Sequence, residues 1–193
     1  SLNKNKNKKL ILNEIKDIIN RAMSGEIPFS NALDMRIKLI NPKKKDINYT
    51  INFLKSQISN SFIKNKKFFK KNSKNCFIVS GGFKEIIIPI VKDFGILDRN
   101  IYANSFILSN NNIIIDKKNP LSKNNGKNII AKKIIGEKII IGDGYTDYEV
   151  KKFGNAKKFI QFTENINRKS LNNYADLICN DFNKIIKYLN NDN

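Results

Sequence analysis

Ile139-Ile140-Ile141-Gly142-Asp143-Gly144-Tyr145-Thr146-Asp147 decides the reading of this chain. An apolar run of buried-strand type ends on an aspartate held between two glycines, and a second acid follows four residues later. In an open sheet of parallel strands, ligands gather outside the carboxyl ends of the strands. Asp143 is then presented at that mouth, with no Cβ on either neighbour to obstruct an approaching group. A hard cation such as Mg²⁺, ligated by oxygen and paired with a phosphate, suits the arrangement. The same residues also occur as loop decoration or as a helix N-cap. A second apolar run, Cys76-Phe77-Ile78-Val79, ends on Ser80-Gly81-Gly82 and supplies a counterpart. Its hydroxyl and the amides that follow, at a helix N-terminus, can donate to phosphate oxygens. By itself Ser80 also reads as a plain N-cap.

Outward from these two tips, the pattern after residue 75 is short apolar strands alternating with helices. Strands are predicted at 76–79, 101–103, 138–141, 156–161 and 175–178. Helices are predicted at 83–94, with a kink at Pro89, and at 128–135, 147–153 and 182–189. Ser109-Asn110-Asn111-Asn112 reads as the turn of a hairpin between 106–108 and 113–115. Such alternation predicts an α/β fold, a Rossmann-like mostly parallel sheet with helices on both faces. Residues 8–59 differ. Three apolar stripes at helical spacing run through Leu10, Ile11, Ile15, Ile18, Ile19 and Ala22, then Phe29 to Ile40, then Ile47, Ile51, Leu54 and Ile58. Ser24-Gly25 and Pro42 punctuate them. The pattern divides the chain into a helical segment, residues 1–60, and an α/β core, residues 61–193. The ends, 1–9 and 190–193, read as frayed.

Composition narrows the chemistry. The 193 residues contain no histidine, which removes Ser-His-Asp and Cys-His catalysis and His-bound zinc from within this chain. Cys76 and Cys179 stand apart in apolar runs, as buried free thiols of a reducing cytosol would. Apolar runs fall short of the roughly 18 residues that cross a bilayer, so the expectation is a cytoplasmic protein with no membrane partner. The net charge of +19 invites a nucleic-acid reading, but of 36 basic residues only Arg21, Arg36, Arg99 and Arg168 are arginines. Arginine is the residue for bidentate phosphate and base recognition, and no aromatic-basic interleaving is present. The lysines are scattered among asparagine and isoleucine, so no specific nucleic-acid partner is expected.

Further motifs fall in a recognisable order. Met23-Ser-Gly-Glu-Ile-Pro-Phe29 and Leu33-Asp-Met-Arg36 resemble the cap segment of phosphoserine phosphatases, a family of the haloacid dehalogenase (HAD) superfamily. Phe77-Ile-Val-Ser80-Gly81-Gly82-Phe83 resembles that superfamily's second motif, and Ala103-Asn104 the turn after its next strand. Gly126-Lys127 is similar to the third, and Gly142-Asp143-Gly144-Tyr-Thr146-Asp147 to the metal-binding fourth. The set runs from about Met23 to Asp181. It implies Mg²⁺-dependent hydrolysis of phosphoserine to serine and phosphate, within serine biosynthesis, through an aspartyl-phosphate intermediate. On that resemblance Ser80, Gly81 and Lys127 hold the phosphoryl group, and Asp143 ligates Mg²⁺ with Asp147 in support. Arg36 takes the substrate carboxylate, Met23 and Phe29 line the serine pocket, and Thr146 replaces an asparagine common in the motif. The residues alone leave other roles open: a surface ion pair for Arg36, core packing for Met23 and Phe29, a solvated lysine for Lys127.

One motif is absent. The family's Asp-x-Asp, at the end of its central first strand, supplies the nucleophile and the acid/base. No Asp-x-Asp occurs in these 193 residues. The expectation is that the motif lies upstream and that the central strand, between the one ending at Ser80 and the one ending at Asp143, is missing from this chain. A catalytically inactive homologue or phospho-ligand binding module is the alternative. A phosphatase for another small phosphometabolite is a third reading. Fusion to another serine-pathway enzyme, or a homodimer, fits the same resemblance.

Overall fold

The computed structural model describes residues 2–109 and 112–191. Helix α1 (Leu2–Ser24) stops where Gly25 turns the backbone left-handed at φ +86, a conformation that favours glycine. Helix α2 (Phe29–Ile40) then folds back on it, and ends at Asn41 in the same left-handed region at φ 44. The two helices meet through Ile18, Ala22 and Ala32, with Ile27 and Leu39 alongside. Two alanines at the crossing let the backbones approach closely. Helix α3 (Lys44–Lys55) follows Pro42 and packs on a helix of the second half, α6 (Lys84–Val91).

The second half is the strand-and-helix portion. Strand β1 (Ile78–Phe83) pairs in parallel with β2 (Ile101–Asn104), and the hairpin of β3 (Phe106–Ser109) and β4 (Asn112–Ile115) is antiparallel. After α7 (Gly126–Lys133), β5 (Ile139–Gly142), β6 (Lys158–Phe162) and β7 (Leu177–Cys179) form a parallel sheet in that order. Helix α8 (Tyr145–Lys152) joins β5 to β6, and α9 (Phe182–Asn191) follows β7. The α/β class with parallel strands and flanking helices is as expected.

The parallel strands come in two pieces, β1-β2 and β5-β6-β7. β2 and β6, the partners of β1 and β5, are largely buried, whereas every residue of β1 and β5 is only half-buried. Among the described residues β1 and β5 are each paired on one side only. Their free edges present unpaired N–H and C=O groups. This is the arrangement expected when a strand between them is not part of the chain.

An aromatic cluster forms the largest core. Phe69, Phe94 and Phe182 are buried, with Phe62, Phe68 and Phe162 packed against them. The Phe69 and Phe182 rings stack at 4.8 Å, and Phe62 meets Phe182 at 4.6 Å. Three of these rings come from α4 (Asn60–Lys64) and α5 (Lys66–Lys71), helices of five and six residues that the sequence reading did not predict. Each is too short for a periodic stripe to register, and lysines surround the phenylalanines. Among the described residues no helix is long and apolar enough to cross a membrane.

Most boundaries move by a few residues, as with α7 at Gly126–Lys133 where 128–135 was expected, and three differences matter here. α1 begins at Leu2, where residues up to 9 were expected to fray; no Pro or Gly interrupts the segment, and Ser1 lies outside the described residues. α9 runs to Asn191, with 192–193 also outside them, as are Asn110 and Asn111 of the hairpin turn. The third difference affects the site. Ser80, Gly81 and Gly82 lie within β1 and not at a helix N-terminus, because α6 starts only at Lys84. Ser80 pairs with Ala103 and Phe83 with Asn104, so two residues of β1 face no partner between those pairs. The glycines form a bulge that throws the strand's end toward the cavity.

Candidate active site

The tips of β1 and β5 open into one cavity of about 360 Å³, roofed by α1 and α2. All nine residues singled out from the sequence line it: Met23, Phe29, Arg36, Ser80, Gly81, Lys127, Asp143, Thr146 and Asp147. Ile15, Ile19, Leu33, Ile37 and Ile40 complete an apolar roof.

The β5 tip is built around Asp143. A Cβ on Gly142 would lie 2.2 Å from the Asp147 carboxyl carbon, and one on Gly144 would lie 2.6 Å from Met23 Sδ. The two glycines therefore make room for Asp147 and for the end of α1, beyond clearing a path for a ligand. Asp147, in the first turn of α8, accepts from the Gly144 amide through Oδ2 at 3.2 Å. Its Oδ1 lies 2.6 Å from Lys127 Nζ, with the two side chains only 10% and 17% exposed. Lys127 is the second residue of α7, an unfavourable end for a cation unless an anion faces it, and Asp147 is that anion. Burial holds the Asp143 carboxyl above its usual range, and the Asp147 charge adds to this; Arg168 and Lys127 oppose it.

The β1 tip is pinned by its own residues. Ser80 Oγ accepts from the Gly82 amide at 3.0 Å, which fixes the bulge. Asn104, fully buried at the end of β2, donates to the Gly81 carbonyl at 2.9 Å and to that of Leu121 at 3.1 Å. A Cβ on Gly81 would sit 2.2 Å from Phe29 Cζ, so the ring at the start of α2 rests on the glycine itself.

Among the described residues of α1 and α2 that line the cavity, Arg36 is the charged one. Arg36 is half-buried and lines the cavity; its Nε donates to the Ala32 carbonyl at 3.3 Å, and no carboxylate pairs with it among the described residues. Burial pushes its pKa down. Thr146 also faces the cavity, and its buried Oγ1 has no hydrogen-bond partner among the described residues.

Arg168 is the residue that sequence reasoning passed over. It follows β6 on a loop, with its side chain 11% exposed, and its Nε lies 3.5 Å from Asp143 Oδ2. Its Nη1 donates to Asn20 of α1 at 3.3 Å, so one guanidinium joins the roof to the acid at the β5 tip. Gln161, fully buried on β6, donates to the Arg168 carbonyl at 2.9 Å. Glu164, on the same loop, accepts from the Ser61 amide and hydroxyl and ties the loop to α4. The only available signal was that Arg168 is one of four arginines in a lysine-rich chain.

The donor chemistry of the tip suits a hard cation in kind: Asp143 presents carboxylate oxygen to the cavity. No group of three metal-ligating side chains exists among the described residues. Asp143 would be the direct ligand, and Asp147, with both oxygens engaged, would contribute through water.

No family model matches the chain. It is 29% identical over 176 residues to the chloroplastic phosphoserine phosphatase of Arabidopsis thaliana, covering 88% of this chain and 60% of that protein. The chain thus spans less than two thirds of that relative's length. A solved phosphoserine phosphohydrolase-like protein from Francisella tularensis superposes with a TM-score of 0.84 at 27% identity, covering 95% of this chain and 87% of that one. A phospho-aspartyl intermediate analogue of phosphoserine phosphatase superposes with a TM-score of 0.68 at 24% identity, covering 91% and 85%, and speaks for the fold. The chain is similar in sequence to phosphoserine phosphatases and shares their HAD-like α/β fold.

Proposed function

We propose that this chain is the greater part of a phosphoserine phosphatase, hydrolysing phosphoserine to serine and phosphate in the cytoplasm, at the end of serine biosynthesis. Residues 1–60 act as the cap and 61–193 as the core. The observation that carries the reading is Arg36, a half-buried guanidinium without a carboxylate partner among the described residues, facing the cavity that holds Ser80, Lys127 and Asp143. A phosphomonoester with a carboxylate at its other end meets both groups at once.

Each residue then has a task. The Ser80 hydroxyl and the Gly81 amide donate to the phosphoryl oxygens, while Lys127 neutralises them and is itself aimed by Asp147. Thr146 Oγ1, enclosed and without a hydrogen-bond partner among the described residues, reaches the substrate once its side chain rotates toward the cavity. Arg36 grips the carboxylate as a two-donor fork, with Met23 and Phe29 enclosing the small serine moiety. Asp143 holds Mg²⁺, which when bound offsets phosphoryl charge. The apolar roof excludes water. The nucleophile is an aspartate of an Asp-x-Asp strand outside these 193 residues, seated between the free edges of β1 and β5. Its carboxylate attacks phosphorus and breaks the ester P–O bond, the serine oxygen leaving with a proton from the motif's second aspartate; water, deprotonated by that same aspartate, then cleaves the aspartyl-phosphate to phosphate and the free carboxylate. The half-exposed β1 and β5 support such a seat.

Titration calorimetry with phosphoserine and phosphoethanolamine, which lacks the carboxylate, tests the reading without requiring turnover. Phosphoserine should bind about tenfold or more tightly, the worth of a charged hydrogen-bonded pair, and Arg36→Ala should erase the difference. Equal affinities in the unaltered chain would point to another phosphomonoester.

A further inference from the structure

Helix α2 begins without a cap of its own. Pro28 stands at the N-cap position, at φ −58 and ψ 137, and its ring carries no acceptor. An N-cap side chain normally accepts from the second or third amide of the helix. Here the acceptor arrives from the other half of the chain. Asn124 Oδ1 accepts from the backbone amide of Ser30, the second residue of α2, at 3.0 Å, and from the Ser30 hydroxyl at 3.0 Å.

Asn124 sits on the loop that delivers Lys127. Asn125 follows in the left-handed region at φ 58, and then Gly126, where a Cβ would lie 2.4 Å from the Pro120 carbonyl oxygen. That packing leaves the loop no slack between Asn124 and Lys127. On the α2 side, Phe29 immediately precedes Ser30 and rests on Gly81. A further tie of α2, Asp34 with Lys117 ahead of that loop, joins two exposed side chains and contributes little.

We propose that Asn124 is a positioning residue that caps α2 from the core, making the seating of α2 and the placement of Lys127 a single event. The importance of Lys127 to chemistry rests on the phosphatase reading; the capping itself does not. When α2 lifts, it loses its cap and the lysine loop loses its anchor together.

Amide hydrogen exchange by NMR on the 193-residue chain tests this. The reporters are Ser30, Ala32, whose amide bonds to the Pro28 carbonyl, and Ile129, whose amide bonds to the Asn125 carbonyl. In Asn124→Ala all three should exchange about fivefold faster, the usual effect of losing an N-cap. Asn124→Asp keeps the acceptor and caps equally well, so its rates should stay within about twofold of the unaltered chain. Asn124 is solvent-exposed, so both substitutions leave the core packing alone. Unchanged Ser30 exchange in Asn124→Ala overturns the cap, as does an Asp variant as fast as the Ala variant. Faster Ser30 with unaltered Ile129 overturns the coupling. A chain that shows the full exchange pattern yet binds no phosphoserine defeats the phosphatase reading and leaves the cap standing.

Discussion

Lys127 Nζ and Asp147 Oδ1 lie 2.6 Å apart at the meeting of α7 and α8, largely withdrawn from solvent. The pair joins the two helix N-termini beneath the cavity, and it leaves Lys127 pointing at the place where the phosphoryl group is proposed to sit. Removing one partner of a buried pair strands the other. Asp147→Ala is expected to cost about 3 kcal/mol in urea unfolding, while the double variant Asp147→Ala/Lys127→Met recovers part of that loss. Additive losses would show that the pair is not the element holding α7 to α8.

Gly81 carries the second prediction. Its missing Cβ is the space occupied by Phe29 Cζ, at 2.2 Å from the ideal position. Gly81→Ala should therefore destabilise the chain by about 1–3 kcal/mol through overpacking. The penalty should shrink when Phe29→Ala opens the space, and a double-mutant cycle in thermal unfolding reads it. Equal penalties in both backgrounds would place the ring elsewhere.

What the sequence made legible follows from where the signal is local. The two tips, with their glycines, and the roof residues Met23, Phe29 and Arg36 could be read because short motifs with fixed spacing encode them. All nine candidate residues meet in one cavity. Arg168 and Asn124 could not be read that way. Each acts across a long stretch of chain, on Asp143 and Ser30, from loops whose course only tertiary packing fixes. The bulge at Gly81-Gly82 was mistaken for the start of a helix, since a glycine pair after a strand reads equally well as either. The Phe62, Phe68 and Phe69 helices went unseen because neither completes two turns.

Acid should weaken the anchoring of α9. Asp181 accepts from the Asn183 amide at 2.8 Å and from its side-chain nitrogen at 2.9 Å. The backbone amide, ahead of the other contributions, holds the Asp181 carboxyl below its ordinary value. A carboxyl depressed in the folded state contributes stability that is complete above its unfolded value, about 3.9, and is lost as pH falls through the folded value. The melting-temperature difference between the unaltered chain and Asp181→Ala should hold steady near neutrality and narrow below about pH 4. A difference that widens on acidification would reverse the sign of the argument.

The central claim is that the β1 and β5 tips form one phosphate-handling mouth that needs only an Asp-x-Asp strand between them. Phosphate release from phosphoserine, measured in a protein that places such a strand ahead of these 193 residues, tests it most directly. The account predicts Mg²⁺-dependent release, abolished by Asp143→Asn, and none from the 193 residues alone. Release that persists in Asp143→Asn, or silence with the strand in place, would contradict it.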